Sequence, residues 1–346
     1  MKTKIVAAIV LILALTIVSG TLEVISAHRI IKVEGRVELK KIGESEYRVA
    51  GVGARLQYGD LLRPERSAIV KVFCDNQQVW RVPAGVVSGL AIGCPEDGSD
   101  IFRSTTVEVT NREGGNDPHI PYILSPRMTC VLDERPTLRW NALEGASRYT
   151  LRLVDEVDVM WQANVTSTEI IYPNDAPKLE RGGVRYLLIV NADNVLSSLA
   201  DGGNNFGFEL LEEHEVAAVK KAERKIAELL DLTHEERVIA LAAFFSDTCL
   251  MNKAIETLEV LVKEGSQSYH VYRMLGDLYA KVGLNLLAKT RYSTALKISR
   301  AIQDQYGLKE IEMALARVKT KLEEQQPLPG IFTGSIPENI AVPTSE

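Results

Sequence analysis

The spacing of apolar and polar positions changes character along the chain. Ile5 to Val18 is an unbroken apolar run preceded by Lys2 and Lys4. From Ile31 the period becomes two: Val33, Gly35, Val37 and Leu39 alternate with charged residues, as in a half-buried strand. Val52 to Leu62 reads as two short extended pieces joined by a Gly59-Asp60 turn. Ser67 to Phe73 is another strand, Asp75-Asn76-Gln77 turns the chain, and Gln78 to Val82 returns. A second set of short strands follows at Pro136-x-Leu138-x-Trp140, Tyr149-x-Leu151-x-Leu153, Val159-x-Trp161, Ile170-x-Tyr172 and Tyr186-x-Leu188-x-Val190-x-Ala192. At Glu212 the period switches to helical, with Val216, Val219, Ala222, Ile226, Leu229 and Leu230 on one face.

An internal repeat runs through the helical part. Tyr272-x-x-Leu275-Gly276-x-x-Tyr279 is followed by Gly283, Ala288, Tyr292 and Ala295, and a shift of 34 residues lands on Ala242, Phe245, Cys249, Ala254, Leu258 and Leu261. Small residues at Gly276 and Ala288 allow antiparallel helices to approach, and a further first helix is marked by Leu315-Ala316. This pattern resembles the tetratricopeptide repeat over about residues 235 to 322. The resemblance implies stacked helix pairs whose first helices line a concave groove for a protein or peptide. On that register Ser246, Asp247, His270, Arg273, Asp277 and Lys281 face the groove.

The first strand set resembles the FecR-like periplasmic domain over roughly residues 31 to 92, through Gly35-x-Val37, Gly53-x-x-Leu56-x-x-Gly59-Asp60-x-Leu62, Ser67-Ala68, Asp75, Val79 and Val82. The resemblance implies a periplasmic β-module. The second strand set is similar to fibronectin type III and related immunoglobulin-like sandwiches. The order of the three parts resembles that of bacterial envelope proteins of cyanobacterial type.

The expected fold class is therefore multidomain α+β, with two small all-β domains followed by an all-α repeat domain. Its parts are a signal peptide or anchor at 1–27, a FecR-like domain at 29–120, a sandwich at 121–211, helices at 212–325 and a flexible tail at 326–346 that holds Pro327, Pro329, Pro337 and Pro343. The basic start, apolar run and small-residue exits at Val18-Ser19-Gly20 and Ile25-Ser26-Ala27 form a secretory layout. They predict export to a periplasmic or other extracytoplasmic site, where cleavage of the segment frees the chain and retention of it would leave a membrane tether.

A net charge of −6 sets nucleic acid aside, since phosphate neutralisation needs a basic face. Of the four cysteines, Cys74 and Cys94 lie in one β-rich region and are candidates for a disulfide, whereas Cys130 and Cys249 read as buried thiols. No CxxC or Cys/His ligand spacing predicts a metal, and no cofactor motif is present. His214-Glu215 and His234-Glu235 open like a zinc-protease helix, but Ala218 and Val238 stand where the second histidine is required. No catalytic residues are expected.

Trp140 and Tyr186 read as sandwich core, while Trp161 is a candidate ligand-facing aromatic. Three functions follow as expectations. The first is a non-enzymatic adaptor that binds a protein through the helical groove. The second is a cell-wall or carbohydrate binder that uses the β-domains, and the third is a membrane-anchored FecR-like sensor.

Overall fold

The structure, a computed structural model, describes residues 28–95, 114–155, 158–193, 196–201 and 206–324. The segment read as a signal peptide or anchor and the proline-containing tail lie outside them.

The first module contains β1 (His28–Glu34), β2 (Val37–Lys40), β3 (Arg48–Val49), β4 (Arg55–Leu56), β5 (Leu61–Pro64), β6 (Ile69–Phe73), β7 (Val79–Val82) and β8 (Ser88–Gly89). They form two antiparallel sheets, ordered β4-β1-β6-β7 and β3-β2-β5-β8. The period-two residues Ile30, Val37, Leu39, Leu62, Val70, Val72 and Val82 fill the space within the module. The Gly59-Asp60 turn is held from inside. Asp60 is buried, and its carboxylate accepts from the backbone of Ile42 at 2.9 Å and of Gln57 at 3.0 Å, and from Lys41 Nζ at 2.8 Å.

The second module contains β9 (Ile123–Ser125), β10 (Thr129–Val131), β11 (Thr137–Trp140), β12 (Tyr149–Val154), β13 (Val159–Val165), β14 (Glu169–Ile171), β15 (Arg185–Ala192), β16 (Leu196–Ser197) and β17 (Phe208–Leu210). One sheet has the order β14-β11-β9. The other has the order β10-β17-β15-β12-β13, with β16 also paired to β15. All the pairings are antiparallel except β10 on β17. Trp140 and Tyr186 lie in the core between the sheets, as their alternation predicts.

Six helices follow: α1 (Glu213–Ala227), α2 (His234–Asp247), α3 (Met251–Lys263), α4 (Tyr269–Lys281), α5 (Asn285–Ala301) and α6 (Gln305–Glu324). They pack as successive neighbours, with α2 against α3 and α4 against α5, and with α6 closing on α5. A Cβ on Gly276 would lie 2.6 Å from the Tyr292 ring, so α4 and α5 approach this closely only because the residue is glycine. The 34-residue step also preserves the turn between paired helices. Cys249 at φ +56° occupies the place of Gly283 at φ +74°. Thr233 caps α2 in a reciprocal box with Glu236.

Three expectations change. The strand read from Ile31 to Leu39 is two, β1 and β2, which part at Gly35 with φ +78° and enter different sheets. Leu230 does not continue the buried face of α1, because the helix ends at Ala227 and Leu230 projects from the following loop at 93% exposure. Cys130 and Cys249 are not thiols. They form a disulfide that joins β10 to the α2–α3 turn, while Cys74–Cys94 bridges the first module. Two disulfides are consistent with an oxidising, exported compartment. Among the described residues no helix is long and apolar enough to cross a membrane.

The helical core extends into both β-modules. Ile31, Val52 and Phe73 of the first and Tyr122, Leu132 and Leu211 of the second belong to the same buried cluster as Ala242, Phe245, Met274 and Leu275. Apolar burial of this kind is the main contribution holding such junctions together.

Candidate functional site: the face shared by the first module and the helices

The six groove residues named from the repeat register lie on the side of α2 and α4 that faces the first module, so the groove is occupied from within the chain. The short segment from Val49 to Arg55 enters it. Gly53 has φ +86°, and a Cβ there would meet Arg273 Nη2 at 3.0 Å and Met274 Cγ at 3.2 Å. A side chain would therefore push the loop off α4.

At the C-terminal end of α2, Asp247 is nearly fully buried. Arg29 grips it side-on, with Nε to Oδ2 at 2.8 Å and Nη2 to Oδ1 at 2.5 Å, and Arg29 Nη2 also donates to Ser246 Oγ at 3.2 Å. Arg55 donates to the same Asp247 oxygen Oδ1. On α4, Arg273 donates to Asp277 at 3.0 Å and to the carbonyl of Val52. Asp277 also accepts from the Tyr292 hydroxyl at 2.7 Å, and Lys281 Nζ lies 3.4 Å from the Ser246 carbonyl.

At the other end of α2, Glu236 takes Lys32 at 2.9 Å and Lys71 at 2.8 Å, both from the first module. Burial works to raise the Glu236 carboxyl, but Lys71 and Lys32 outweigh it and hold the group below its ordinary value.

The module leaves two openings on this face. One, of about 300 Å³, is lined by Arg29, Gly53, Arg55, Ala242, Ser246, Met274, Asp277, Leu278 and Lys281. The other, of about 280 Å³, lies between the first module and α4 and α6, with Arg36, Val37, Val49, Tyr269, His270, Asp304 and Glu310 among its walls.

In the second opening the Tyr269 hydroxyl donates to Asp304 at 2.5 Å, and the His270 and Tyr269 ring centroids lie 3.9 Å apart. His270 Nδ1 is buried without a hydrogen-bond partner. Burial, reinforced by Arg273, pulls the His270 imidazole down to about 4, so it is neutral at physiological pH. Burial raises the Glu310 carboxyl. One opening is thus rich in arginine and lysine, and the other holds carboxyl groups and a neutral imidazole.

All six sequence-predicted residues are brought together. However, Ser246, Asp247 and Arg273 are engaged by the first module, and His270 lies beneath its Gly51 turn. Asp277 and Lys281 remain at the mouth of the arginine-rich opening. The sequence reading missed Arg29, Arg55, Lys32 and Lys71. Each sits at a polar strand position that alternation marks only as outward-facing, with no signal of what it faces.

A second junction was also missed. Arg127 is fully buried and donates to Asp201 at 2.9 Å, to the Val282 carbonyl at 2.7 Å and to the Ile123 carbonyl at 3.2 Å, with its guanidinium 3.5 Å from the Phe206 ring centroid. Asp201 accepts in addition from the Gly115 backbone at 2.5 Å.

Trp161 is half-buried on β13, edge-on to Tyr172 with centroids 5.3 Å apart, so part of its ring is committed to packing. The His28, Cys74 and Cys94 side chains cluster, but both sulfurs are in the disulfide and are therefore not free thiolate ligands. No protein-family model matches the chain, and no curated protein matches it significantly.

Proposed function

We propose that this chain is a non-enzymatic extracytoplasmic adaptor that binds a protein or peptide on the composite face built by the first β-module and the helical pairs. The observation that carries this reading is the pair of openings left where the module enters the groove. They are lined by concentrated charge on buried supports, with neutral Met274 and Leu278 on the floor of one of them. In this reading the tetratricopeptide-like stack is the scaffold, and the FecR-like module narrows its groove to two small sites. A short segment of a partner fits such sites better than a whole helix does. Compartment enters through the two disulfides and the secretory layout of residues 1–27.

Site-specific photo-crosslinking in cells tests the proposal. A photoreactive residue replaces Asp277 or Lys281 at the opening, with Thr290 on the exposed side of α5 as the control. A discrete protein adduct from positions 277 and 281, absent from 290, is the expected result. No protein adduct at any position, with polysaccharide retention that depends on Trp161, would replace the adaptor by a glycan binder.

A further inference from the structure

Among the described residues the outer strands of the sheets are short, with one exception. β3, β4 and β8 have two residues each, β9, β10 and β14 have three, and β7 has four, whereas β13 has seven. An outer strand carries a row of unpaired backbone groups, and folded proteins keep such edges from pairing by shortness, charge or proline. β13 reads Val-Met-Trp-Gln-Ala-Asn-Val, with no charged residue and no proline. It pairs with β12 on one side, from Val165 opposite Tyr149 to Trp161 opposite Leu153. Among the described residues its backbone bonds to nothing on the other side.

The flank of this edge is apolar. β14, the outer strand of the facing sheet, lies beside β13, since a short link joins the two and the Trp161 ring is edge-on to Tyr172. Val159 is 51% exposed and Ile171 is 55% exposed, and Met160, Trp161 and Ile170 are only partly covered.

We infer that β13 pairs antiparallel with β13 of a second copy of this chain, about a two-fold axis at Ala163, so that two sandwiches share one continuous sheet. The strand's own sequence selects that occupant. In this register Gln162 of each copy stands opposite Asn164 of the other, and Trp161 stands opposite Val165. Gln162 and Asn164 are the exposed positions. The Thr150 hydroxyl donates to the Asn164 side-chain oxygen at 2.8 Å, which leaves the Asn164 amide nitrogen to donate to Gln162 across the axis. Trp161 and Val165 lie on the inner face with the sandwich core, where aromatic and β-branched residues pair favourably. Ala163 meets itself at the axis, where a small side chain fits, and no like charges are opposed. A foreign strand would have to match amide with amide and apolar with apolar in the same register, whereas the second copy does so by symmetry. This inference does not rest on the adaptor proposal, whose openings lie between the first module and the helices.

A single strand pair buries a small area, so the dimer is reversible and depends on concentration. Sedimentation velocity of the full chain over a wide concentration range tests it. The double variant Gln162→Lys, Asn164→Lys opposes like charges twice across the axis, and Gln162→Lys, Asn164→Glu opposes unlike charges there instead. Both positions are exposed, so the sandwich stays folded in each variant, which thermal melting and near-UV dichroism check. In a third variant, Ala163→Cys, the only unpaired thiol is at the axis, because Cys74, Cys94, Cys130 and Cys249 are already in disulfides. Residues opposed in antiparallel strands have Cα atoms about 5 Å apart, within the span of a disulfide.

The expected result is a wild-type dimer whose dissociation constant rises about tenfold or more in the lysine–lysine variant and recovers in the lysine–glutamate variant. Ala163→Cys should give a dimer on a non-reducing gel after air oxidation. A monomer at every concentration overturns the pairing and leaves the edge to a different occupant. A dimer that the lysine–lysine variant leaves unchanged overturns it as well, by placing the contact elsewhere. Equal weakening in both charged variants, or no crosslink in Ala163→Cys, overturns the axis at Ala163.

Discussion

The two β-modules meet the same helices through junctions of opposite character. Besides the apolar contacts of Tyr122, Leu132 and Leu211, the sandwich is joined by the buried Arg127, which pairs with Asp201 of the sandwich and donates across to the Val282 carbonyl, and by the Cys130–Cys249 bridge. The first module is joined by an apolar patch of Ile31, Val52 and Phe73, ringed by ion pairs whose cationic members are partly exposed. Buried charges are costly to separate, and a covalent bridge does not dissociate at all. Partly exposed pairs are worth much less and weaken with salt. The difference makes the sandwich a fixed part of the helical body and leaves the first module as the part that can give way.

The sharpest way to break the comparison is Arg127→Met. It strands Asp201 in the interior, and we expect a loss of about 4 kcal/mol in urea unfolding. A loss below about 1 kcal/mol would mean that the junction is held by apolar packing and the bridge instead. Removing the bridge with Cys130→Ala and Cys249→Ala releases a closure of 119 residues. The expected cost is about 3 kcal/mol, read from the same unfolding curves under non-reducing conditions.

Asp247→Asn probes the other junction. Amide exchange should accelerate in residues 28–56 by an amount equivalent to about 2 kcal/mol, while Tyr149–Val154 in the sandwich keeps its protection. Equal loss in both regions would show that the modules open together.

The smallest expected effect is on pH dependence. The folded His270 imidazole is held at about 4, below its ordinary value, so the unfolded chain takes up the proton first as pH falls. The stability it contributes is complete above pH 6.5 and is lost as pH drops toward 4. Glu310, raised by burial, acts in the opposite sense as it gains its proton. We expect a net loss of about 1 kcal/mol between pH 6.5 and 5 in wild type and a smaller one in His270→Gln, by thermal melts across that range.

What could be read from the chain divides along physical lines. Periodicity located β6, β7 and the long sandwich strands, because local alternation is set by burial of one face, but it ran β1 and β2 together as one strand across the Gly35 turn. The 34-residue step found the helix pairs and even matched Cys249 with Gly283, two positions that need a positive φ. Trp140 and Tyr186 were recognisable as core because a large ring at an inward strand position has nowhere else to go.

The junctions were not legible. Arg29 and Asp247 are 218 residues apart, and Arg127 and Val282 are separated by 155, with no local pattern linking either pair. The six residues read as lining one face do lie together on α2 and α4, yet only assembly of the chain reveals that the first module sits against them. Leu230 was misjudged because the α1 pattern carries no sharp stop signal before Ala227, where the helix ends.

The Cys130–Cys249 bridge also governs how the protein responds to cutting. It makes residues 130 to 249 a covalent ring, and the α1–α2 loop that displays Leu230 lies inside that ring. Exposed loop tips are where proteases nick folded chains. A single cut there leaves two polypeptides still joined through sulfur, migrating as one species until a reductant separates them. The chain can thus lose its continuity between α1 and α2 without losing either half.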